Sequence, residues 1–340
     1  MIPNPDDVVV LDHGTGAKLS RLLIGDIIGT LEETYAGELE DSALLTVDGR
    51  ELAMTTDSFV VDPVIFGNGD IGRIAVCGTV NDLAVVGAIP LALTLATIIE
   101  EGFPRAKLKK IFASVRDAAR EAGVRIVAGD TKVVRRGEAD GVFLNTTGLG
   151  VFRRAPLRMA SVRAGDRIIV TGQLGNHAVH LLSLREGLGF ENRVLSDCAP
   201  LSGMVSELLE AFPAGTVRSI RDATRGGLAA VMHEYAFHGG FEVRLNEADL
   251  PLQHETVMAT DMLGVNPLHL ANEGCLAIFV EPARAGEVCQ HLRRNKYGRH
   301  AAIVGEIFSS SRGAQVRLAD AMGAIKVLDE LEGAELPRLC

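Results

Sequence analysis

The chain has no tryptophan, three tyrosines and twelve phenylalanines in 340 residues. Aromatic packing therefore cannot dominate its interior, and the 47% of apolar residues must fill the cores mainly as Val, Ile, Leu and Ala. Cysteine is also scarce. Cys77, Cys198, Cys275, Cys289 and Cys340 are odd in number and far apart, with no C-x-x-C pair, which argues against a disulfide framework or a zinc finger. Reduced thiols in a cytoplasmic protein are the expectation. Basic charge is in deficit, with 34 Lys and Arg against 44 Asp and Glu. The net charge of −10 excludes nonspecific nucleic-acid or anionic-membrane binding as the main business of the chain. Phosphate ligands are still compatible, because backbone N–H groups and Mg²⁺ handle them locally. The nine histidines lack the H-x-x-E-H type of metal spacing. A membrane-length apolar run is missing as well. Residues 83–99 carry no charge, but Gly87 and Pro90 interrupt them and Thr94 and Thr97 dot the second half, so they read as a helix end followed by a buried strand. The opening Met1-Ile-Pro-Asn-Pro-Asp-Asp lacks the basic and apolar regions of a signal peptide.

What is present is an alternation of strand and helix patterns long enough for about two domains. Ala43–Asp48 and Glu51–Phe59 read as strands around the hairpin signal Asp48-Gly49-Arg50. Helical spacing over 71–86, an apolar strand at Pro90–Ile99, an amphipathic helix at Ala106–Ala122 stopped by Gly123, and strands at 124–128 and 146–152 complete a first half. Arg153–Val162 is a basic connector. A strand at Arg167–Thr171, helices at 177–185, 200–211, 228–237 and 283–294, and strands at 275–280, 303–307 and 316–318 make a second half. The expected domains are 1–153 and 154–329, with residues 330–340 as a tail.

Acidic and glycine-bearing clusters fall at the ends of these elements. Asp57 follows Thr55-Thr56 where the second strand emerges, Asp82 sits beside Asn81 in an apolar helix, and Asp130 lies in Gly129-Asp130-Thr131-Lys132 after a short strand. Three converging carboxylates would suit a Mg²⁺–nucleotide site, since Mg²⁺ takes oxygen ligands and keeps substrate phosphates in its shell; separate caps and turns are the alternative. Asp12-His13-Gly14-Thr15-Gly16 precedes an apolar helical pattern, and Asp222-Ala223-Thr224-Arg225-Gly226-Gly227 opens another helix. Glycines allow close backbone approach and helix N-termini attract anions, so both are candidate phosphate corners. Glu273, before the strand at 275–280, is a candidate general base or a turn residue.

The chain ends in Gly333-Ala-Glu-Leu-Pro-Arg-Leu-Cys340. Pro337 biases Leu336 towards an extended backbone, so no helix is expected to reach the terminus. Arg338 would favour the Cys340 thiolate, opposed by the α-carboxylate. The expectation is a flexible arm tipped with a nucleophile.

His13-Gly14-Thr15-Gly16, Thr56-Asp57-Ser58, Asn81-Asp82-Leu83-Ala84, Gly129-Asp130-Thr131-Lys132, Asp222-Ala223-Thr224-Arg225-Gly226-Gly227, Asn272-Glu273-Gly274 and Pro337-Arg338-Leu339-Cys340 occur in this order. As an ordered set across nearly the whole chain, they resemble the HypE family of nickel–iron hydrogenase maturation proteins, within the aminoimidazole-ribonucleotide (AIR) synthase superfamily. Ala17 departs from the family's usual further glycine. The resemblance implies an α/β (α+β), two-domain AIR-synthase-like (PurM-like) fold, a homodimer, and ATP with Mg²⁺ along a cleft. It implies that a HypF-type carbamoyltransferase loads the terminal cysteine. ATP then drives dehydration of the S-carboxamide to a thiocyanate, and cyanide passes to a HypC–HypD-type scaffold.

By motif match, Asp57, Asp82, Asp130 and Asp222 are the metal candidates. Gly14, Gly16, Thr131, Arg225, Gly226 and Gly227 join them around the nucleotide. Cys340, Glu273 and Lys132 are the catalytic candidates, with the proton work left open between Glu273 and Lys132. A thiamine-monophosphate kinase or selenophosphate synthetase would share the aspartates but gives the terminal cysteine no purpose. A noncatalytic thiol carrier would bind its partners without hydrolysing ATP.

Overall fold

The computed structural model describes residues 8–14, 16, 18–37, 40–320, 322–331 and 338–340. The readings made on Thr15, Ala17 and Gly333–Pro337 lie outside the described residues.

After α1 (Lys18–Leu31), strands β1 (Ala43–Val47) and β2 (Arg50–Phe59) form the expected hairpin. Its two-residue turn places Asp48 at φ 50° and Gly49 at φ 75°, the left-handed pair a primed turn demands. The short β3 (Ile65–Phe66) and β4 (Gly69–Asp70) lead into α2 (Ile71–Val85), whose first turn is capped by the Asp70 carboxylate accepting the Arg73 N–H. Then come β5 (Ala88–Glu100), α3 (Arg105–Ala122), β6 (Arg125–Val134) and β7 (Val142–Phe152). The sheet order is β1-β2-β7-β5-β6, antiparallel except for the β5–β6 pair that α3 connects. Helix α2 packs on β2, β5 and β7, and α3 packs on α2. One face of the sheet is thereby covered.

The second half contains β8 (Arg167–Val170), α4 (Asn176–Glu186), α5 (Ser202–Ala211), β9 (Val217–Asp222), α6 (Gly227–Gly239), β10 (Phe241–Asn246), α7 (His254–Leu263), β11 (Leu276–Val280), α8 (Ala285–Leu292), β12 (Ala302–Ser309), β13 (Gln315–Ala319) and β14 (Ile325–Val327). Its sheet runs β14-β13-β10-β12-β8-β11-β9. The two halves share a core. Val76, Val80 and Leu95 of the first lie in one buried cluster with Ala178, Val179 and Leu181 of α4, and with Leu339 near the chain end.

Two expectations change here. The strand read at 124–128 continues to Val134, so Asp130 and Lys132 stand in mid-strand rather than beyond a strand end. Arg338–Cys340 is a docked segment, not a free arm: the Val60 N–H donates to an α-carboxylate oxygen of Cys340 (3.0 Å) and the Asp62 N–H to the Arg338 carbonyl (3.3 Å).

Candidate active site

Asp57 lies on β2, aligned with Thr146 of β7, and its Oδ2 accepts from the Thr79 hydroxyl of α2 at 3.3 Å. Asp82 occupies the same helix one turn on, and its Oδ2 accepts from Thr55 at 2.9 Å. Asp222 is the last residue of β9, opposite Leu276 of β11. Asp41, just before β1, completes the group: carboxylate oxygens of Asp41, Asp82 and Asp222 all lie within 4.8 Å of one another. Arg221 fixes Asp41 through a 2.9 Å ion pair and also binds Glu234 at 2.9 Å.

Burial is the first cause of every carboxyl shift here. It raises Asp57, raises Asp82 and Asp41 well above the usual range, and lifts Asp222 to about 6. Mutual repulsion adds to it, while Arg221 opposes it at Asp41 and Asp222. A cluster of anions that burial drives toward protonation, with oxygen as its sole donor type, fits a hard divalent cation such as Mg²⁺. Asp57, Asp82, Asp222 and Asp41 are the residues that would hold it.

Glu273 reaches this cluster from the segment before β11. Its N–H donates to Asp197 Oδ1 at 2.9 Å, and the neighbouring Asn272 side chain donates to the Ala223 carbonyl at 2.8 Å while accepting from the Gly175 N–H at 2.8 Å. Burial first, then Asp197, Asp222 and Asp57, hold its carboxyl well above the normal range. Among the described residues its buried Oε1 has no hydrogen-bond partner. An orphan carboxyl oxygen in a cavity wall is built to meet a ligand.

Cys340 closes the cavity, which measures about 220 Å³ and is lined by Asp57, Asp82, Asp222, Arg225, Glu273 and Cys340 among others. Burial, then Glu273, push its thiol up to about 12, and Arg225 only partly offsets this. The effect expected from Arg338 is absent because that guanidinium turns away to Asp140 and the Val60 carbonyl. The docked sulfur is a thiol.

A second cavity of about 430 Å³ shares Arg225 and Cys340 with the first and is lined by Gly14, Gly226, Val265 and His269. Gly16 and Gly227 stand behind these walls. A Cβ on Gly16 would meet that of Arg225 at 2.7 Å, and one on Gly227 would meet the Leu268 carbonyl at 2.4 Å.

Asp130, Thr131 and Lys132 are not brought to this place. Register pairs Asp57 with Thr146, Thr146 with Leu95, and Leu95 with Gly129, so Asp130, one residue on, faces the other side of the sheet. Asp130 and Lys132 there form a 2.8 Å ion pair, 63% and 67% exposed. Asp41 escaped the sequence reading although an acid directly before an apolar strand, the same sign that marked Glu273, was available. Asp197 and His177 gave no local sign.

Comparisons with known proteins give the family and the fold. The chain matches the AIR synthase related protein N-terminal domain over residues 39–152 and the corresponding C-terminal domain over 163–316. It is 44% identical to the carbamoyl dehydratase HypE of Rhodobacter capsulatus, covering 98% of this chain and 99% of that protein. It is 40% identical to the Escherichia coli K12 protein of the same name, at 98% and 99% coverage. Among solved structures, HypE in a HypE–HypF complex superposes with a TM-score of 0.84 at 39% identity, covering 91% of this chain and 99% of that one. A HypE in complex with ATP gives 0.82 at 39%, covering 98% and 100%. Thiamine monophosphate kinase from Aquifex aeolicus, at 19% identity and 0.66, shares the fold alone. Identity along the full length, with the same two domains, shows that this chain belongs to the HypE family of AIR synthase related proteins.

Proposed function

We propose that the chain is an ATP-dependent carbamoyl dehydratase that acts on its own C-terminal cysteine, converting an S-carboxamide to a thiocyanate for the iron centre of a nickel–iron hydrogenase. One observation carries this reading: the last sulfur of the chain lines the same small cavity as Asp57, Asp82 and Asp222 and a Glu273 carboxyl with an oxygen unpartnered among the described residues. In the reaction the carboxamide oxygen takes the γ-phosphoryl group of ATP and releases ADP. The C–O bond then breaks as phosphate leaves, and two N–H protons are lost to give S–C≡N. An amide oxygen leaves poorly and a phosphate leaves well. Phosphoryl transfer needs positioning and charge neutralisation above all, which a bound Mg²⁺ supplies. Arg225 adds fixed positive charge at the junction of the two cavities, and the larger one gives room for the nucleotide. Glu273 would take a nitrogen proton, and a cation held by the aspartates would lower its carboxyl towards the base form. Tethering the substrate replaces a bimolecular encounter by a local one.

A docked thiol at about 12 is a poor nucleophile. Loading by a HypF-type carbamoyltransferase therefore belongs to an undocked tail, and delivery to a HypC–HypD-type scaffold requires the tail to leave again. The relative in the HypE–HypF complex supports the first partner. Apolar residues Met54, Leu91, Ile98, Val127 and Val133 of the first sheet are exposed, which supports a homodimer. In such a dimer Asp130 and Lys132, on the open face, would serve the partner copy's cleft. Among the described residues no helix is long and apolar enough to cross a membrane.

Intact-protein mass spectrometry tests the proposal. Incubation with carbamoyl phosphate, the transferase and MgATP should give a carbamoyl adduct at Cys340 that then loses one water. An adduct that never dehydrates would make the chain a thiol carrier, and no adduct at all would favour a small-molecule kinase.

A further inference from the structure

Arg338, Leu339 and Cys340 are held by groups outside the acidic cavity that the chemistry above does not use. The Arg338 Nε donates to the Val60 carbonyl at 2.8 Å, and the other arm of its guanidinium pairs with Asp140 in the turn between β6 and β7. Arg185 of α4 donates to the carbonyls of Arg338 and Asp62. The Leu339 side chain is 7% exposed and buried in the core shared by the two halves. Arg338 adopts φ 60°, a left-handed conformation that a residue with a side chain holds only when surroundings impose it.

The Leu339 carbonyl lies 2.7 Å from His177 Nε2. A carbonyl can only accept, so Nε2 carries the ring proton and Nδ1 is the acceptor. The Ser196 hydroxyl, 2.7 Å from Nδ1, donates to it, and Ser196 Oγ accepts the Cys198 N–H at 3.2 Å. Between those two residues stands Asp197, whose carboxylate accepts the Glu273 N–H. A hydrogen-bonded path thus runs from the docked tail to the segment that fixes the candidate base.

We propose that Asp140, Arg185 and His177 form a latch that recognises the Arg-Leu-Cys end of the chain, and that His177 is a positioning residue linking tail docking to Glu273 through Ser196 and Asp197. The link to Glu273 takes its meaning from the dehydratase reading; the latch itself does not depend on it. The recognised ligand class is a peptide C-terminus with a basic, an aliphatic and a thiol side chain in that order. Asp140 is 66% exposed, so its pairing with Arg338 is reversible.

The test is the rate at which N-ethylmaleimide labels Cys340 in the full chain without nucleotide or partner, read by mass spectrometry. Cys77, Cys198, Cys275 and Cys289 are buried and report any general unfolding. Asp140→Arg should raise the rate roughly two- to fivefold, the scale of a surface ion pair, and Arg338→Asp should do the same. The double variant Asp140→Arg with Arg338→Asp should return the rate to near that of the unaltered chain. His177→Gln should also raise labelling, and after carbamoylation it should slow loss of water more than Asp140→Arg does. Unchanged labelling in the surface variants, or no rescue in the double variant, would overturn the latch. Equal slowing of dehydration by Asp140→Arg and His177→Gln would overturn the link to Glu273. A latch that passes the labelling test in a chain that makes no thiocyanate would refute the dehydratase reading instead.

Discussion

Asp57 and Asp130 stand on two strands of one sheet, each in a short motif with a threonine neighbour, yet they belong to different chemical environments. Asp57 is half-buried against α2, and its partial burial raises its carboxyl. Asp130 lies in the open, and Lys132 beside it lowers its carboxyl. The register explains the difference: the β6 residue in line with Asp57 across β7 and β5 is Gly129, and side chains alternate faces along a strand. One residue of offset separates a member of the acidic cavity from a surface ion pair. In the proposed reading the face packed on α2 carries the site within one chain, and the open face would contribute only through a partner copy.

The largest effects should come from the buried face. Cys340→Ala and Asp57→Ala should each abolish thiocyanate, a loss of at least ~10³-fold on the scale set by removing a transition-state group. They should then part company: Asp57→Ala alone should also impair ATP turnover with a free thiocarboxamide, which needs no tail. If Cys340→Ala stopped that turnover as well, the sulfur would be part of the machinery and not its cargo.

The open face is tested next, by mixing. Lys132→Ala and Cys340→Ala chains should each be inactive alone. Co-refolded, they should regain about a quarter to a half of normal dehydration if Lys132 works in a partner's cleft, because heterodimers then contain one complete site. No recovery, with dimers confirmed by light scattering, would return Lys132 to its own chain or remove it from the reaction.

A smaller effect separates the faces by pH. Burial lifts the Asp222 carboxyl to about 6, above its unfolded value, so the folded state holds this proton more tightly. The stability this gives is complete below pH ~4 and is lost as pH rises through about 6. Metal-free protein should thus melt lower at pH 8 than at pH 5, and MgCl₂ should restore most of the difference at pH 8 while adding little at pH 5. Asp82→Asn should flatten this profile, whereas Asp130→Asn should leave it unchanged. A Mg²⁺ effect of the same size at both pH values would detach the cation from the buried cluster.

Much of this arrangement was legible in the sequence, since alternation of apolar residues and turn chemistry are local. The hairpin around Gly49, α2, α3 stopped at Gly123, and the loop carrying Glu273 all follow from neighbours in the chain. The facing of Asp130 was not legible: it depends on how far β6 extends and on its register with β5, both tertiary facts. Asp41 was overlooked because its signal, one acid before a strand, is weak until Arg221 and Asp222 close around it. The tail's docking depends on Asp140 of the β6–β7 turn and on His177 and Arg185 of α4, which come together only when α4 packs against the first core. No spacing in the chain announces that meeting.

The smallest effects concern glycines of the two helix-start motifs. Gly227 has φ 62°, and a Cβ there would lie 2.4 Å from the Leu268 carbonyl and 2.6 Å from that of Leu270. Because both are backbone atoms, neither can yield cheaply, and Gly227→Ala should cost about 2–4 kcal/mol of stability. Around Gly14 a Cβ would meet nothing within 4 Å among the described residues, so Gly14→Ala should leave the melting temperature of the ligand-free protein within about a degree. Its residue nonetheless lines the larger cavity. If that space receives the nucleotide, Gly14→Ala should raise the Kd for ATP a fewfold while leaving stability alone. Unchanged ATP affinity would move the nucleotide away from this turn, and a large loss of stability would show that the turn packs more tightly than its geometry allows.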